Sequence, residues 1–483
     1  MKKSCLLSVL ALSTAASAAV KLATPFADGM VLQRGMKLPV WGTADGGEPV
    51  KVSFAGHSIE TVAGEDGKWM VTIPPLEASR DSRELKVNDL TVSDVLVGEV
   101  WFVCGQSNAE MPLWGTSPRF RDRNGALVAQ MTMKPLVRMC YASNYKCSKV
   151  PKETAAYKVK WERFTPETLG KGHSFSAMGA YFALDIYNAL EIPVGVVGSY
   201  WGGTCIEPWI PAEGFAAVGL DPAKCIPRKD THQHPSVLWN EMVNPWAPMA
   251  MRGFIWYQGC SNSGHPELYT QRMHALYKGW SKKFGNPALK LYFVQLAPWS
   301  GGGHPEFQQA QARFDAEEPN AAMAVINDLG NLTDIHPNEK ETVAKRLSVH
   351  ALKRDYGFDW ICDNSPTLKS WQVEGNKFVL EFNDATGFYI YNHKYCSMET
   401  GMEICGEDGV WKKARIANLA EAKRGGKTIR LGSIKGAKLE VVADEVEKPV
   451  KLRYLYSSPW YGSIYSQASL PLGSFFIDST AAK

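Results

Sequence analysis

The sequence predicts an α/β protein in which a three-layer domain on a parallel sheet is flanked by two β-rich regions. Three observations point there. Between about residues 96 and 360, short runs that are apolar on both faces recur with amphipathic helical segments between them, the pattern of buried parallel strands and their crossovers. Before and after that stretch, apolar residues alternate with polar ones, as in half-buried strands. A chain of 483 residues is also too long for one core, so two or three domains are expected.

Residues 1–18 read as a leader. Lys2 and Lys3 precede a short apolar stretch, Leu6 to Leu12, and Ala16-Ser17-Ala18 fits the small-residue cleavage rule. That stretch is too short to span a bilayer, and no later run is long and apolar enough. An exported protein, periplasmic or secreted, with no membrane span is expected. In region 19–95, Val50, Val52 and Phe54 alternate, as do Trp69, Val71 and Ile73. Asp66-Gly67 is a hairpin signal before the second run, and Pro74-Pro75 closes it.

In region 96–360 the candidate strands are Val97–Val103, Val194–Gly198, Gly253–Tyr257, Leu291–Leu296 and Met323–Ile326. Tyr269, Met273, Leu276, Tyr277, Trp280 and Phe284 share one helical face, with Lys282, Lys283 and Gly285 suited to its carboxyl end. Two further helices are predicted over Phe175–Leu190 and Glu339–Arg354. Gly301-Gly302-Gly303 reads as a flexible surface loop near the strand ends. In region 361–483, Phe378, Leu380 and Phe382 alternate, as do Leu452, Tyr454 and Tyr456, with turn signals at Gly375-Asn376 and Asp408-Gly409. That region is expected to be sandwich-like, packed with the first β region or separate from it.

Composition narrows the function classes. The chain is 45% hydrophobic and 21% charged, as soluble globular proteins are. The net charge of +4 includes Lys2 and Lys3, so the mature chain is near neutral and no nucleic-acid or anionic-membrane partner is indicated. Its 16 Trp and 18 Tyr are residue types that face sugars as well as fill cores. Of its 10 cysteines, Cys5 falls in the leader, and Cys140 with Cys147 and Cys396 with Cys405 are close enough for local bridges. No Cys-x-x-Cys occurs, and His232 and His234 lack an obvious third ligand, so no metal and no cofactor are expected.

Four segments end or follow the candidate strands. Gly105-Gln106-Ser107-Asn108 presents a serine just past a strand, with Gly105 free to bend. Gly198-Ser199-Tyr200-Trp201-Gly202-Gly203-Thr204 lets backbone approach a ligand and point an N–H at it. Trp256-Tyr257-Gln258-Gly259-Cys260-Ser261-Asn262 offers a side-chain amide, and Asp334-Ile335-His336-Pro337 offers an imidazole with a carboxylate two residues away. Each segment alone reads equally as a capping loop or turn. In a parallel sheet all four emerge at one end. A hydroxyl, a glycine N–H, an amide and a His/Asp pair there are the parts for acyl transfer. Two rivals rank lower. Cys104 lies inside a strand, where burial makes a thiol inert, and Asp328 lacks a neighbouring histidine.

These segments, in this order, resemble the four blocks of the SGNH hydrolase superfamily, and within it the sialate O-acetylesterase group. The likeness is carried by Gly98-Glu99-Val100-Trp101 leading into Gly105-Gln106-Ser107-Asn108, by Gly202-Gly203-Thr204 with Ile206-Glu207-Pro208-Trp209, by Trp239-Asn240-Glu241-Met242-Val243-Asn244-Pro245, by Gly253–Gly259, and by Asp334-Ile335-His336-Pro337 with Lys340. It extends to Asp28–Arg34 and Val40-Trp41-Gly42 in the first β region and to Pro449–Tyr454 in the last. The resemblance implies an SGNH-hydrolase-like, flavodoxin-like central domain.

The resemblance also implies the chemistry. Ser107 would attack an acetyl ester, His336 would act as base and then acid, and Asp334 would orient the imidazole. The N–H groups of Ser107 and Gly203 (or Gly202) and the side chain of Asn262 would hold the oxyanion. Gln106, Trp201 and Gln258 are candidate substrate contacts, and Trp114, Trp201 and Trp209 candidate sugar-facing aromatics. The implied substrate is an O-acetylated sialoglycan or another acetylated carbohydrate such as xylan, with no cofactor. The chain departs from the family pattern at Cys260, where a glutamate is usual. That departure raises two alternatives: a bridge among Cys104, Cys205 and Cys260 replacing the lost support, or a glycan-binding protein with a weakened catalytic domain.

Overall fold

The computed structural model describes residues 20–481 apart from 115–118, 144, 171–174, 226–227, 301–303, 392–399, 425–426, 431 and 457–460. The leader, the Gly301-Gly302-Gly303 loop and Cys396 lie outside the described residues. A large mixed sheet of 11 strands organises the chain, and smaller β sheets lie before and after its helical part. Among the described residues no helix is long and apolar enough to cross a membrane.

Seven strands form the main path of that sheet: β1 (Leu90–Gly105), β2 (Lys134–Tyr141), β3 (Trp161–Phe164), β4 (Val194–Tyr200), β5 (Gly253–Tyr257), β6 (Lys290–Val294) and β7 (Ala321–Ala324). Their order is β3-β2-β4-β1-β5-β6-β7, parallel throughout except for the antiparallel edge strand β3. Every residue of β4 and β5 is buried, which explains their unbroken apolar sequences. The four longest helices of the region are α1 (Ala177–Leu190), α2 (Pro266–Lys283), α3 (Pro305–Glu317) and α4 (Lys340–Tyr356). Adjacent residues of β1 point to opposite sides. Trp101 meets Phe182 of α1, with ring centroids 5.1 Å apart, while Phe102 meets Trp280 of α2 at 5.7 Å. Helices therefore cover both faces.

The expected strands and three helices are present with ends shifted by a few residues. Ser176 caps α1 by accepting from Gly179 N–H at 3.1 Å. Two elements carry no periodic signal in the sequence. Strand β2 is interrupted by Lys134, Pro135 and Arg138, yet Arg138 is buried because Asp94 pairs with it at 2.7 Å. Helix α3 turns glutamines inward. Gln311 accepts from Leu296 N–H at 2.9 Å and donates to Val294 C=O at 3.0 Å, and Gln308 donates to Leu296 C=O at 2.8 Å. Polar side chains that finish a strand's hydrogen bonding take the place of an apolar stripe.

The boundary expected near residue 95 falls inside β1, a single strand of 16 residues. Its first half pairs with Ser79–Val87 and Val31–Gln33, and its second half with β4 and β5. Asp94, at φ +57, lies within the first half, where the pairing with Ser79–Val87 shifts register. Apolar residues from 20 to 351 accordingly form one cluster. The hairpin expected at Asp66-Gly67 is instead a turn between sheets. It leads from His57–Val62, paired with Pro49–Phe54, to Lys68–Ile73, paired with Leu38–Thr43. An Asp-Gly turn reverses the chain locally, but which sheet the next strand joins depends on which buries its apolar face. The hairpin lies at Ala55-Gly56, where both φ angles are positive (50° and 84°).

The strands after residue 366 enclose a second cluster around Phe378, Leu380, Phe382, Leu452 and Tyr454. This region braces the end of the main sheet. Tyr461 Oη accepts from Leu332 N–H at 3.1 Å, Asn327 Nδ2 donates to Leu472 C=O at 2.7 Å, and Tyr465 donates to Asp328 at 3.1 Å. Neither of the two candidate local bridges is formed. Cys140, Cys147 and Cys405 are free thiols, since Cys140 is buried within β2 while Cys147 faces Thr231 at 3.8 Å.

Candidate active site

Strand β1 ends at Gly105, whose φ is +136° and where a Cβ would lie 2.2 Å from Tyr257 C=O. Only glycine allows the chain to turn there against β5. Ser107 opens a four-residue helix just beyond. Its Oγ lies 2.9 Å from His336 Nε2, and His336 Nδ1 lies 2.9 Å from Asp334 Oδ1. With Nδ1–H given to the carboxylate, Nε2 is the acceptor for the serine proton. The same Asp334 oxygen accepts from His336 N–H at 3.1 Å, which locks the two residues together. Arg119 donates to the other oxygen at 3.0 and 3.3 Å. The Phe120 ring stands edge-on to the imidazole at 5.4 Å.

The electrostatics keep the imidazole a base. Burial pushes the His336 pKa down from its usual value, although Asp334 opposes that shift. Burial alone would raise the Asp334 carboxyl, but Arg119 and the His336 N–H groups hold it below the usual carboxylate range. Behind them, Asn108 Nδ2 donates to Ile335 C=O at 2.9 Å and Asn108 Oδ1 accepts from Lys340 Nζ at 2.7 Å. Those bonds clamp the serine turn to the histidine loop across more than two hundred residues. Lys340 is fully buried, lies over the Tyr257 ring at 5.0 Å, and is pushed down to about 7 by burial.

The glycine and asparagine segments close in from the other side. Gly203 has a φ of +75°, and the groups on either side are tied down. Gly202 N–H donates to Glu110 at 2.8 Å, while Gly203 C=O accepts from Ser261 Oγ at 2.8 Å and Gln233 Nε2 at 3.0 Å. Among the described residues neither Ser107 N–H nor Gly203 N–H has a protein acceptor. Asn262 is buried, and its Oδ1 accepts from Ile206 N–H at 2.9 Å and Gln258 Nε2 at 2.8 Å. That orientation fixes Nδ2, which donates to Glu207 at 3.1 Å. Arg272 in turn pairs with Glu207 at 2.5 Å. Asn262 is thus well supported with cysteine at position 260.

Other expectations are corrected. Gln258 is fully buried, donates to Thr204 C=O and Asn262, and accepts from the Tyr269 hydroxyl at 2.9 Å, so it sits behind the site. Gln106 is likewise buried and accepts from Gly259 N–H at 3.0 Å, lacing two strand ends together. Trp209 belongs to the core. Cys104, Cys205 and Cys260 are free thiols, and the Cys104 sulfur points into the sheet at Ile255 C=O, 3.6 Å away. Burial raises the thiol pKa of all three, to about 11 for Cys205 and Cys260. Asp328 is spent on Arg346 at 2.6 and 2.7 Å. No group of three or more metal-ligating side chains occurs among the described residues.

Trp201 is half-buried beside Gly202. It stacks on His232 at 4.7 Å with planes 9° apart, and Tyr145 meets it edge-on at 5.5 Å. Glu110 accepts from the Tyr145 hydroxyl as well as from Gly202 N–H, and burial raises its carboxyl pKa. Glu110, Arg119 and Tyr145 carry no motif signal. Only Glu110 had a local cue, its place one helical turn after Ser107.

Residues 97–350 match the family of carbohydrate esterases described as sialic acid-specific acetylesterases. The chain is 30% identical over 381 residues to the human sialate O-acetylesterase, covering 71% of this chain and 72% of that protein. It is 27% identical over 442 residues to the mouse sialate O-acetylesterase, covering 78% and 81%. Among solved structures, a carbohydrate acetylesterase from Xanthomonas citri superposes with a TM-score of 0.82 at 28% identity, over 95% of this chain and all of that one.

Proposed function

This chain belongs to the carbohydrate esterase family of sialic acid-specific acetylesterases, and from that premise we propose that it removes O-acetyl groups from sialic acids through an acyl-enzyme formed on Ser107. The observation that carries the mechanism is the pair of 2.9 Å contacts joining Ser107 to His336 and His336 to Asp334. Ser107 Oγ attacks the acetyl carbonyl while its proton passes to His336 Nε2. Asp334 stabilises the imidazolium, which then protonates the departing sugar oxygen. Water, deprotonated by the same imidazole, releases acetate. The oxyanion lies among Ser107 N–H, Gly203 N–H and the second hydrogen of Asn262 Nδ2. Gly202 is excluded from that role because Glu110 takes its N–H.

In this reading the central domain is a three-layer SGNH-type, flavodoxin-like unit, with the first β region continuous with it through β1 and a further β region at 361–483. Residues 1–18 direct the chain to export, to the periplasm or outside the cell, and Trp201 forms the wall against which the sugar lies. The test is hydrolysis of an aryl acetate, an O-acetylated sialic acid and acetylated xylan by wild type and Ser107→Ala. Release of acetate from the sialic acid by wild type alone supports the reading. Faster release from xylan would move the substrate to a neutral polysaccharide, and inertness towards all three would leave a glycan-binding protein.

A further inference from the structure

Beside the triad lies a cleft of about 510 Å³ bounded by Arg119, Arg123, Asn331, Thr333 and Asn338, with Asp334 and His336 also in its lining. That size is within the ~300–1,000 Å³ range of small-molecule sites. We propose that this cleft receives the carboxylate of an acidic sugar while its acetyl group lies at Ser107, so that Arg119 and Arg123 select acetylated acidic sugars over neutral ones. The proposal rests on the esterase reading of Ser107.

Four observations support it. The cleft reaches the reacting atoms, because His336 lines it and lies 2.9 Å from Ser107 Oγ. Both guanidiniums are accessible, with side chains 82% and 60% exposed. Each is used along one edge only. Arg119 gives Nε and Nη2 to Asp334, and Arg123 gives Nη2 to Asn338 and Glu339. A guanidinium has five N–H donors, and Nη1 of each residue has no acceptor among the described residues. The carboxylates of Asp334 and Glu339 offset the two positive charges, yet both arginine side chains stay largely exposed, so their unused N–H groups remain open to a second anion. An incoming carboxylate can add to the free edge of the fork in the bidentate geometry that guanidinium favours. Finally, the site is polarised. The carboxyl of Glu110 stands at Gly202 and is not part of the cleft, so an anionic substituent is disfavoured beside Gly202 and accepted beside the arginines.

The test pairs a change in the protein with a change in the substrate. Wild type, Arg123→Ala and Arg119→Ala/Arg123→Ala are assayed on an O-acetylated sialic acid, on its methyl ester, and on an aryl acetate. Arg119 touches Asp334, so its loss also slows the aryl acetate; the readout is therefore the acid-to-ester ratio of kcat/KM within each variant. Wild type is expected to favour the free acid by ~10-fold or more, the scale of a charge-assisted hydrogen bond. That ratio falls in Arg123→Ala, approaches one in the double variant, and shrinks as salt is raised. A wild-type ratio of one, or a ratio that survives the double substitution, overturns the proposal. If wild type hydrolyses no acetate at all, the esterase reading fails, and calorimetric binding of free sialic acid still decides the cleft. Binding by wild type that the double variant loses supports it; no binding, or equal binding, overturns it.

Discussion

The strand Leu90–Gly105 carries one ionic constellation in its length and leads into another past its end, and the two are built on opposite terms. Glu99 is completely buried, and its carboxylate accepts from Gln33 at 3.0 Å, Arg34 at 2.6 Å, Arg252 at 3.0 and 3.1 Å, and Tyr356 at 3.1 Å. Burial would raise its pKa, but the arginines hold it below the ordinary range. The donors come from the first β region, from the residue just before β5 and from the end of α4, so a single carboxylate fastens three parts of the chain. At Ser107 the arrangement is left open. The His336 and Asp334 side chains are 24% and 16% exposed, and two backbone donors have no acceptor among the described residues. A buried charge with every lone pair occupied fixes a structure. A site that is to receive a developing negative charge must keep donors in reserve.

Four measurements test that contrast. Ser107→Ala is expected to lower kcat by ~10⁵- to 10⁶-fold while the unfolding free energy moves by less than ~1 kcal/mol, read from aryl acetate hydrolysis and urea unfolding. Glu99→Ala should do the reverse. Leaving Arg34 and Arg252 without their carboxylate costs ~3–5 kcal/mol of stability, and kcat per folded molecule stays at the wild-type value. A folded Glu99→Ala enzyme with greatly reduced kcat would show that the two constellations are coupled. Asn262→Ala should lower kcat by ~10²- to 10³-fold with a much smaller change in KM, since its Nδ2 is assigned to the transition state; a loss confined to KM would remove it from the oxyanion hole. The smallest effect is in the pH profile. The imidazole must be neutral to accept the serine proton, so kcat/KM falls as pH drops through the His336 pKa. Because burial lowers that pKa, the acid limb is expected below the ordinary imidazole value of ~6.5, and a midpoint above it would contradict the burial argument.

Much of the site was legible because it rests on backbone necessities and unusual residue types. Gly105 before Ser107 marks a bend that a Cβ would block, and the two-residue spacing of Asp334 and His336 allows both side chains to meet. The parallel strands were legible for a similar reason: burial on both faces leaves uninterrupted apolar runs. What stayed hidden shares one cause. Strand β2 contains a buried arginine, α3 turns glutamines inward, and Gln258 and Gln106 look like substrate contacts while acting as internal braces. In each case a polar residue is made acceptable inside the protein by a partner distant in sequence, and local pattern cannot supply that partner.

The order of elements, the serine at a strand end and the identity of its base were therefore set by the sequence alone, since they follow from steric and burial constraints that act over a few residues. Only the tertiary structure decided that Ser107 and His336 approach to 2.9 Å, that Glu110 takes Gly202 N–H while Gly203 N–H has no acceptor among the described residues, and that two arginines stand beside the triad. Those outcomes depend on contacts between segments far apart along the chain, whose closure is governed by packing of the whole fold rather than by any local preference.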